Sequence, residues 1–212
     1  MWSCSRHPRR TSTTSCVWRI ATAAHETGQA QAAGGELVLL GLGTNLGDRR
    51  LNLRRALEAL QEVMTLQRIS TIYGSDPVGF AEQPLFWNAV VRGRTRLEPT
   101  DLLDCTQAIE RALGRQPSTV RNAPRAIDID LLLFDQATIG TATLTLPHPR
   151  LLQRAFCLRP SAEIAGEMVH PATGRTLAEH WAAAPPPGRT WPLFPGAELL
   201  GPGDGAHGAC AE

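Results

Sequence analysis

An α+β fold is predicted for this chain by three observations. Four segments between residues 36 and 134 have β character. Two segments with helical apolar spacing lie between them. The order in which they alternate is β-α-β-β-α-β, which suits a ferredoxin-like sheet carrying its helices on one face and leaving the other face for a site. Further helical segments are expected C-terminal to this repeat.

The elements follow in order. "ELVLLGLG" (36–43) is a continuous apolar run of strand length. "GTNLGD" makes a turn, and a helix starts near Asp48, with Leu53, Leu57, Leu60 and Met64 on one stripe. "LQRISTIYGS" (66–75) alternates and reads as a strand. The Pro- and Gly-bearing loop "DPVGFAEQP" connects it to the strand "LFWNAVVRGRT". The second helix runs from Pro99, a favoured first-turn residue, to Gly114, a favoured stop. Its stripe is Leu102, Thr106, Ile109 and Leu113. The last strand is "AIDIDLLLF" (126–134).

The domain is expected to span 36–182. Residues 1–35 are rich in Ser, Thr, Ala and Arg, poor in acids and without apolar period, so they read as an irregular or disordered extension. Residues 183–212, with "APPPGRT" and "GPGDGAHG", read as an irregular tail. The chain has 212 residues, 42% of them hydrophobic, and a net charge of +1. That balance suggests neither a nucleic-acid coat nor a membrane-surface protein, and no apolar run approaches a bilayer span. Five scattered cysteines form no CxxC pair, so neither a zinc site nor a disulfide framework is indicated, and a reducing cytoplasmic setting fits best. All 21 basic residues are arginine. A Walker-type phosphate loop and a lysine nucleophile are thereby excluded.

One feature of the last strand is unfavourable. Asp128 and Asp130 are two residues apart, so both carboxylates point to one face, where they repel and resist desolvation. Alone, the pair fits a solvated strand face as well as a metal site. Arg125 and Arg121 nearby favour the second reading. Hard oxygen ligands on a rigid face suit Mg²⁺ shared with phosphate, and arginine forks suit phosphate oxygens. This is equipment for phosphoryl transfer. Gln107 and Glu110 lie one helical turn apart, on a stripe that would by default be solvated. His148 in "LTLPHPR" is the best-placed histidine, though a lone histidine is usually structural. Asn88 in "PLFWNAVV" could end a strand or read a heterocycle edge, with Phe86 or Phe156 stacking on the ring. "GLGTNLG" misses dinucleotide-fingerprint spacing and reads as a tight strand-to-helix turn, with Asn45 a capping or site residue.

Together "GLGTNLGDR", "SDPVGFAEQPLFWNAV", "QAIERALGR", "APRAIDIDLLLF" and "LPHPRLLQRAFCLRPSAEIA" resemble the 6-hydroxymethyl-7,8-dihydropterin pyrophosphokinases of folate biosynthesis, over roughly 41–165. The resemblance implies a monomeric enzyme that transfers pyrophosphate from ATP to the pterin hydroxymethyl group and releases AMP. It also implies that Asp128 and Asp130 bind two Mg²⁺ ions, and that Arg125, assisted by Arg115, binds the transferring phosphates. By the same resemblance, Gln107, Glu110, Arg121, Leu131, Thr145, His148 and Arg154 line the ATP site. Ser75, Asp76, Val78, Phe86, Asn88 and Phe156 form the pterin pocket. The "SDPVG" segment and the 115–125 loop look like the family's mobile loops. Asn122 and Pro117 depart from residues common in the family, which bears on loop closure rather than on the chemistry.

Overall fold

The structure is a computed structural model, and it describes residues 34–77, 82–115 and 123–201. Strand β1 (Glu36–Thr44) ends in a turn whose Gly47 takes a φ of +63°. Asp48 then caps helix α1 (Arg49–Leu60), its side chain accepting from the Leu51 N–H. Leu53, Ala56, Leu57 and Leu60 bury one stripe of that helix. The predicted second strand forms as two, β2 (Thr65–Ile69) and β3 (Ile72–Ser75). Ser70 holds the break: its hydroxyl accepts from the Val90 N–H at 2.9 Å and donates to the Thr71 carbonyl at 2.8 Å. Strand β4 (Phe86–Thr95) follows, then helix α2 (Pro99–Ala112), then strand β5 (Asp128–Phe134).

All pairings are antiparallel. The strand order is β3-β4-β1-β5, with β2 also pairing with β4, which is the order of the expected ferredoxin-like sheet. Helices α1 and α2 lie on one face, where Leu53, Leu57 and Ile109 meet Val38, Leu40 and Leu42. Each such leucine removed from water stabilises the fold by about 1.5–3 kcal/mol. After β5 come a two-residue hairpin, β6 (Ile139–Gly140) and β7 (Thr145–Leu146), and helix α3 (Ala155–Ala165). A second small hairpin, β8 (Val169–His170) and β9 (Arg175–Thr176), leads to helix α4 (Leu177–Ala183), opened by a capping box of Thr176 and Glu179. Leu158, Ile164 and Leu177 from this region pack on Leu39, Val90 and Leu132, covering part of the second sheet face. The uncovered part of that face holds the site.

The expectation of an irregular tail from 183 onward is corrected for residues 190–200. Strand β10 (Thr190–Phe194) pairs with β3 and extends the sheet, and a short 3₁₀ turn (Gly196–Leu200) buries Leu199 in the core. The Trp191 indole lies so close over Gly74 that any Cβ there would come within 2.5 Å of it. "APPPG" and Pro192 disguise the strand. A proline is nevertheless compatible with an edge strand, where one N–H is not needed by a neighbour. The expected extension at 1–35 falls almost wholly outside the described residues, as do Val78, Arg121, Pro117 and Asn122. Among the described residues no helix is long and apolar enough to cross a membrane. Cys105 and Cys157 are both buried free thiols.

Candidate active site

Antiparallel register builds the floor of a cavity of about 900 Å³. Asp130 pairs with Gly41, and Asp128 with Gly43, so two glycines lie beside the two carboxylates. Gly43 pairs on its other side with Asn88. A Cβ on Gly43 would sit 3.5 Å from Asn88 Oδ1 and 4.0 Å from Asp128 Cβ. The glycine is therefore not demanded by a clash. It leaves open the space between the carboxylate row and the amide row.

Around Asp128 the charges are paired. Arg115 Nη1 lies 2.8 Å from Asp128 Oδ1, and Arg125 Nη1 donates to Asp128 Oδ2 at 2.7 Å. Arg115 also pairs with Glu110, which is 4% exposed and accepts from the Ile129 N–H of edge strand β5 at 2.7 Å. Burial pushes the Glu110 carboxyl up to about 7, against the opposing pull of that N–H and of Arg115. Asp130 differs. Its carboxylate has no hydrogen bond or ion pair among the described residues. Burial first, then the Asp128 charge, push it up to about 6, and the charges of Arg150, Arg154 and Arg125 pull against them. The sequence leaves open what faces the pair; for Asp128 the answer is two arginines, and for Asp130 it is the open cavity.

At the other end Asn88, 5% exposed, donates from Nδ2 to Ser75 Oγ at 2.9 Å, beside the half-buried Phe86. Phe156 also lines the cavity, with the Arg154 guanidinium 5.3 Å from its ring centroid.

The cavity thus gathers Ser75, Asp76, Phe86, Asn88, Gln107, Glu110, Arg115, Arg125, Asp128, Asp130, Arg154 and Phe156. Three expected residues do not line it. Leu131 points to the opposite sheet face and packs in the main core, because strand side chains alternate and Asp130 takes the site face. Thr145 is exposed on the β6–β7 hairpin. His148 stands at the rim, its Nδ1 accepting from the Arg150 N–H at 3.2 Å. Burial first, then Arg150 and Arg154, hold its imidazole down to about 4. Gly41, Gly43 and Arg150 line the cavity without having been assigned there from sequence. The signal for the glycines is their spacing of two at the end of the strand "ELVLLGLG". Arg150 stands inside the quoted "LPHPR".

Fold and cavity together define an α+β enzyme of the phosphotransfer class, with an arginine-flanked carboxylate pair next to a neutral, aromatic-walled recess. Comparison with known proteins narrows the class. Residues 39–166 match the model of the family described as 7,8-dihydro-6-hydroxymethylpterin-pyrophosphokinase (HPPK), and the chain belongs to that family. It is 42% identical over 139 residues to a 2-amino-4-hydroxy-6-hydroxymethyldihydropteridine pyrophosphokinase of Bacillus subtilis, covering 65% of this chain and 83% of that one. The Pseudomonas aeruginosa protein of the same name is 41% identical over 150 residues, covering 70% and 91%. Among solved structures, wild-type Plasmodium falciparum HPPK-DHPS with SDX-DHP superposes with a TM-score of 0.58 at 14% identity, over 73% of this chain and 45% of that one. This likeness shows the fold, and the present chain spans less than half of that bifunctional protein.

Proposed function

We propose that this chain transfers pyrophosphate from ATP to the hydroxymethyl group of 6-hydroxymethyl-7,8-dihydropterin, the activity named for its family and its relatives. The observation that carries the reading is the adjacency of two unlike half-sites across Gly43: Asp128 with its arginines on one side, Asn88 on the other. The bonds balance simply. The pterin hydroxyl oxygen bonds to the β-phosphorus of ATP, the bond from that phosphorus to the α,β-bridging oxygen breaks, AMP leaves, and the hydroxyl proton passes to solvent.

Arg125 and Arg115 are positioned to hold phosphate oxygens. Arg154 and Arg150 extend the positive wall toward the triphosphate. Asn88, Phe86, Phe156 and Ser75 suit a flat heterocycle with a hydrogen-bonding edge. The residues also fit Mg²⁺. Asp128 and Asp130 offer hard oxygen donors on one face, and Asp130 lacks any protein partner among the described residues. No group of three or more His, Cys, Asp or Glu that could hold a metal exists among those residues, so phosphate oxygens and water would complete the coordination. Bound there, the ions would neutralise charge developing on the phosphates. We further propose that the chain acts as a monomer, with its catalytic unit running past 182 to include β10.

The test is AMP release from ATP and Mg²⁺ with and without the hydroxymethyl dihydropterin. AMP should form only with the pterin present. Formation of ADP instead, or AMP release indifferent to pterin, would refute the reading.

A further inference from the structure

Asn45 follows β1 directly and is 2% exposed. Its backbone N–H donates to the Arg125 carbonyl at 3.1 Å, and its Oδ1 accepts from the Arg125 N–H at 2.8 Å. Its Nδ2 donates to Gln83 Oε1 at 2.9 Å and to the Pro84 carbonyl at 3.2 Å. The orientation of this amide is fixed by its backbone partners, since an N–H only donates and a carbonyl only accepts. One side chain therefore joins two separate stretches. One carries Arg125, whose guanidinium binds Asp128. The other runs two residues further into Phe86 and then Asn88.

We propose that Asn45 is a positioning residue that sets the phosphate-holding Arg125 relative to the Phe86–Asn88 wall, so that the two substrates meet in register. The proposal rests on the functional reading above. Asn45 itself is nearly buried and its side chain engages three part-buried partners at once, so replacing it leaves the Arg125 N–H without its acceptor and the Pro84 carbonyl without its donor. The two halves of the amide act on different substrates: Oδ1 serves the phosphate arm and Nδ2 the heterocycle arm. Geometry shared between two reactants controls turnover as well as binding, since reacting atoms must be held within a narrow range of approach.

Because the halves are separable, so is the test. Asn45→Asp keeps the acceptor for the Arg125 N–H but presents an oxygen to the Pro84 carbonyl. It should raise the pterin KM by about tenfold and lower kcat much less. Gln83→Ala removes one heterocycle-side partner at a half-buried position, and should raise the pterin KM by roughly threefold with kcat unchanged. Asn45→Ala severs both arms and should depress kcat as well, by roughly tenfold. Hydrogen exchange gives a readout independent of turnover: the Arg125 amide should lose protection in Asn45→Ala and keep it in Asn45→Asp. An active wild type whose Asn45→Asp and Asn45→Ala variants change kcat and KM in the same proportion, or expose the Arg125 amide equally, would overturn the assignment. A wild type that makes no pterin diphosphate would instead overturn the functional reading, and the exchange result would still decide the role of Asn45 in holding Arg125.

Discussion

Asn88 and Asp130 lie on the same face of one sheet, yet they meet their surroundings differently. The Asn88 amide is tied to Ser75, and the segment leading to it is braced by Asn45. Asp130 has no protein partner among the described residues and carries a carboxyl displaced upward to about 6. At one end of the cavity the Asn88 amide is satisfied within the protein, by Ser75. The other holds unreconciled charge, with two carboxylates against Arg115, Arg125, Arg150 and Arg154. The difference teaches where each kind of selectivity resides. A rigid recess can discriminate by fit. A frustrated charge cluster is completed only by a ligand that brings both anionic oxygens and cations, and its electrostatics matter most as charge moves.

The largest expected effect comes from removing the frustrated charge. Asp130→Asn keeps the shape and should lower turnover by roughly 10²–10³-fold, the scale seen when a preorganised charge partner of a transition state is lost. Without metal, the same change should not destabilise the protein. The sign follows from the displaced carboxyl. A group with a reference value of 3.8 and a folded value of about 6 favours folding below about 3.8, and loses that contribution as pH rises through 6. The asparagine cannot titrate. In chelator, its melting temperature should therefore gain on wild type as pH is raised from 4 to 7. A variant with wild-type turnover, or one less stable than wild type at pH 7, would remove Asp130 from the centre of the mechanism.

Breaking the neutral end should be milder and one-sided. Phe86→Ala should weaken binding of a non-reacting pterin by about 1–3 kcal/mol, taking base–aromatic stacking as the guide. ATP affinity should be unchanged. Calorimetry on both ligands checks this, and an unaltered pterin affinity in the folded variant would show that Phe86 does not touch the heterocycle.

How much of this was legible beforehand differs between the two ends as well. The charged end announces itself in sequence, because Asp128 and Asp130 violate an apolar strand and Arg125 stands three residues away. Alternation alone puts both carboxylates on one face. The neutral end is less visible, since Gly41 and Gly43 act by lacking side chains, and what they leave open appears only when β1 is placed between β4 and β5. A resemblance carries a position without its face, and the Leu131 side chain packs in the main core. The β10 strand was missed because edge pairing tolerates Pro192, while local composition argues for a loop. Asn45 was noticed but left between capping and site. Its role depends on Arg125 and Pro84, which are 80 and 39 residues away, and no local pattern records such pairings.

The smallest expected effect sharpens the contrast at the rim of the charged end. His148 is surrounded by the positive charge of Arg150 and Arg154, and burial is the first cause that holds its imidazole down to about 4. Its Nδ1 already accepts the Arg150 N–H, so the neutral ring carries its proton on Nε2 and can only donate outward. Between pH 8 and 5 the ring should therefore not titrate, and its Cε1–H resonance should stay fixed while solvent-exposed imidazoles shift. The stability sign is opposite to that of Asp130. A base whose folded value is lowered from 6.5 to about 4 binds fewer protons folded than unfolded, so its contribution is lost as pH falls from 6.5 through 4. His148→Gln should abolish that part of the acid sensitivity. A His148 resonance moving with a midpoint near 6.5 would show that the positive wall does not hold the ring neutral. It would also show that the electrostatics of the charged end stop short of its rim.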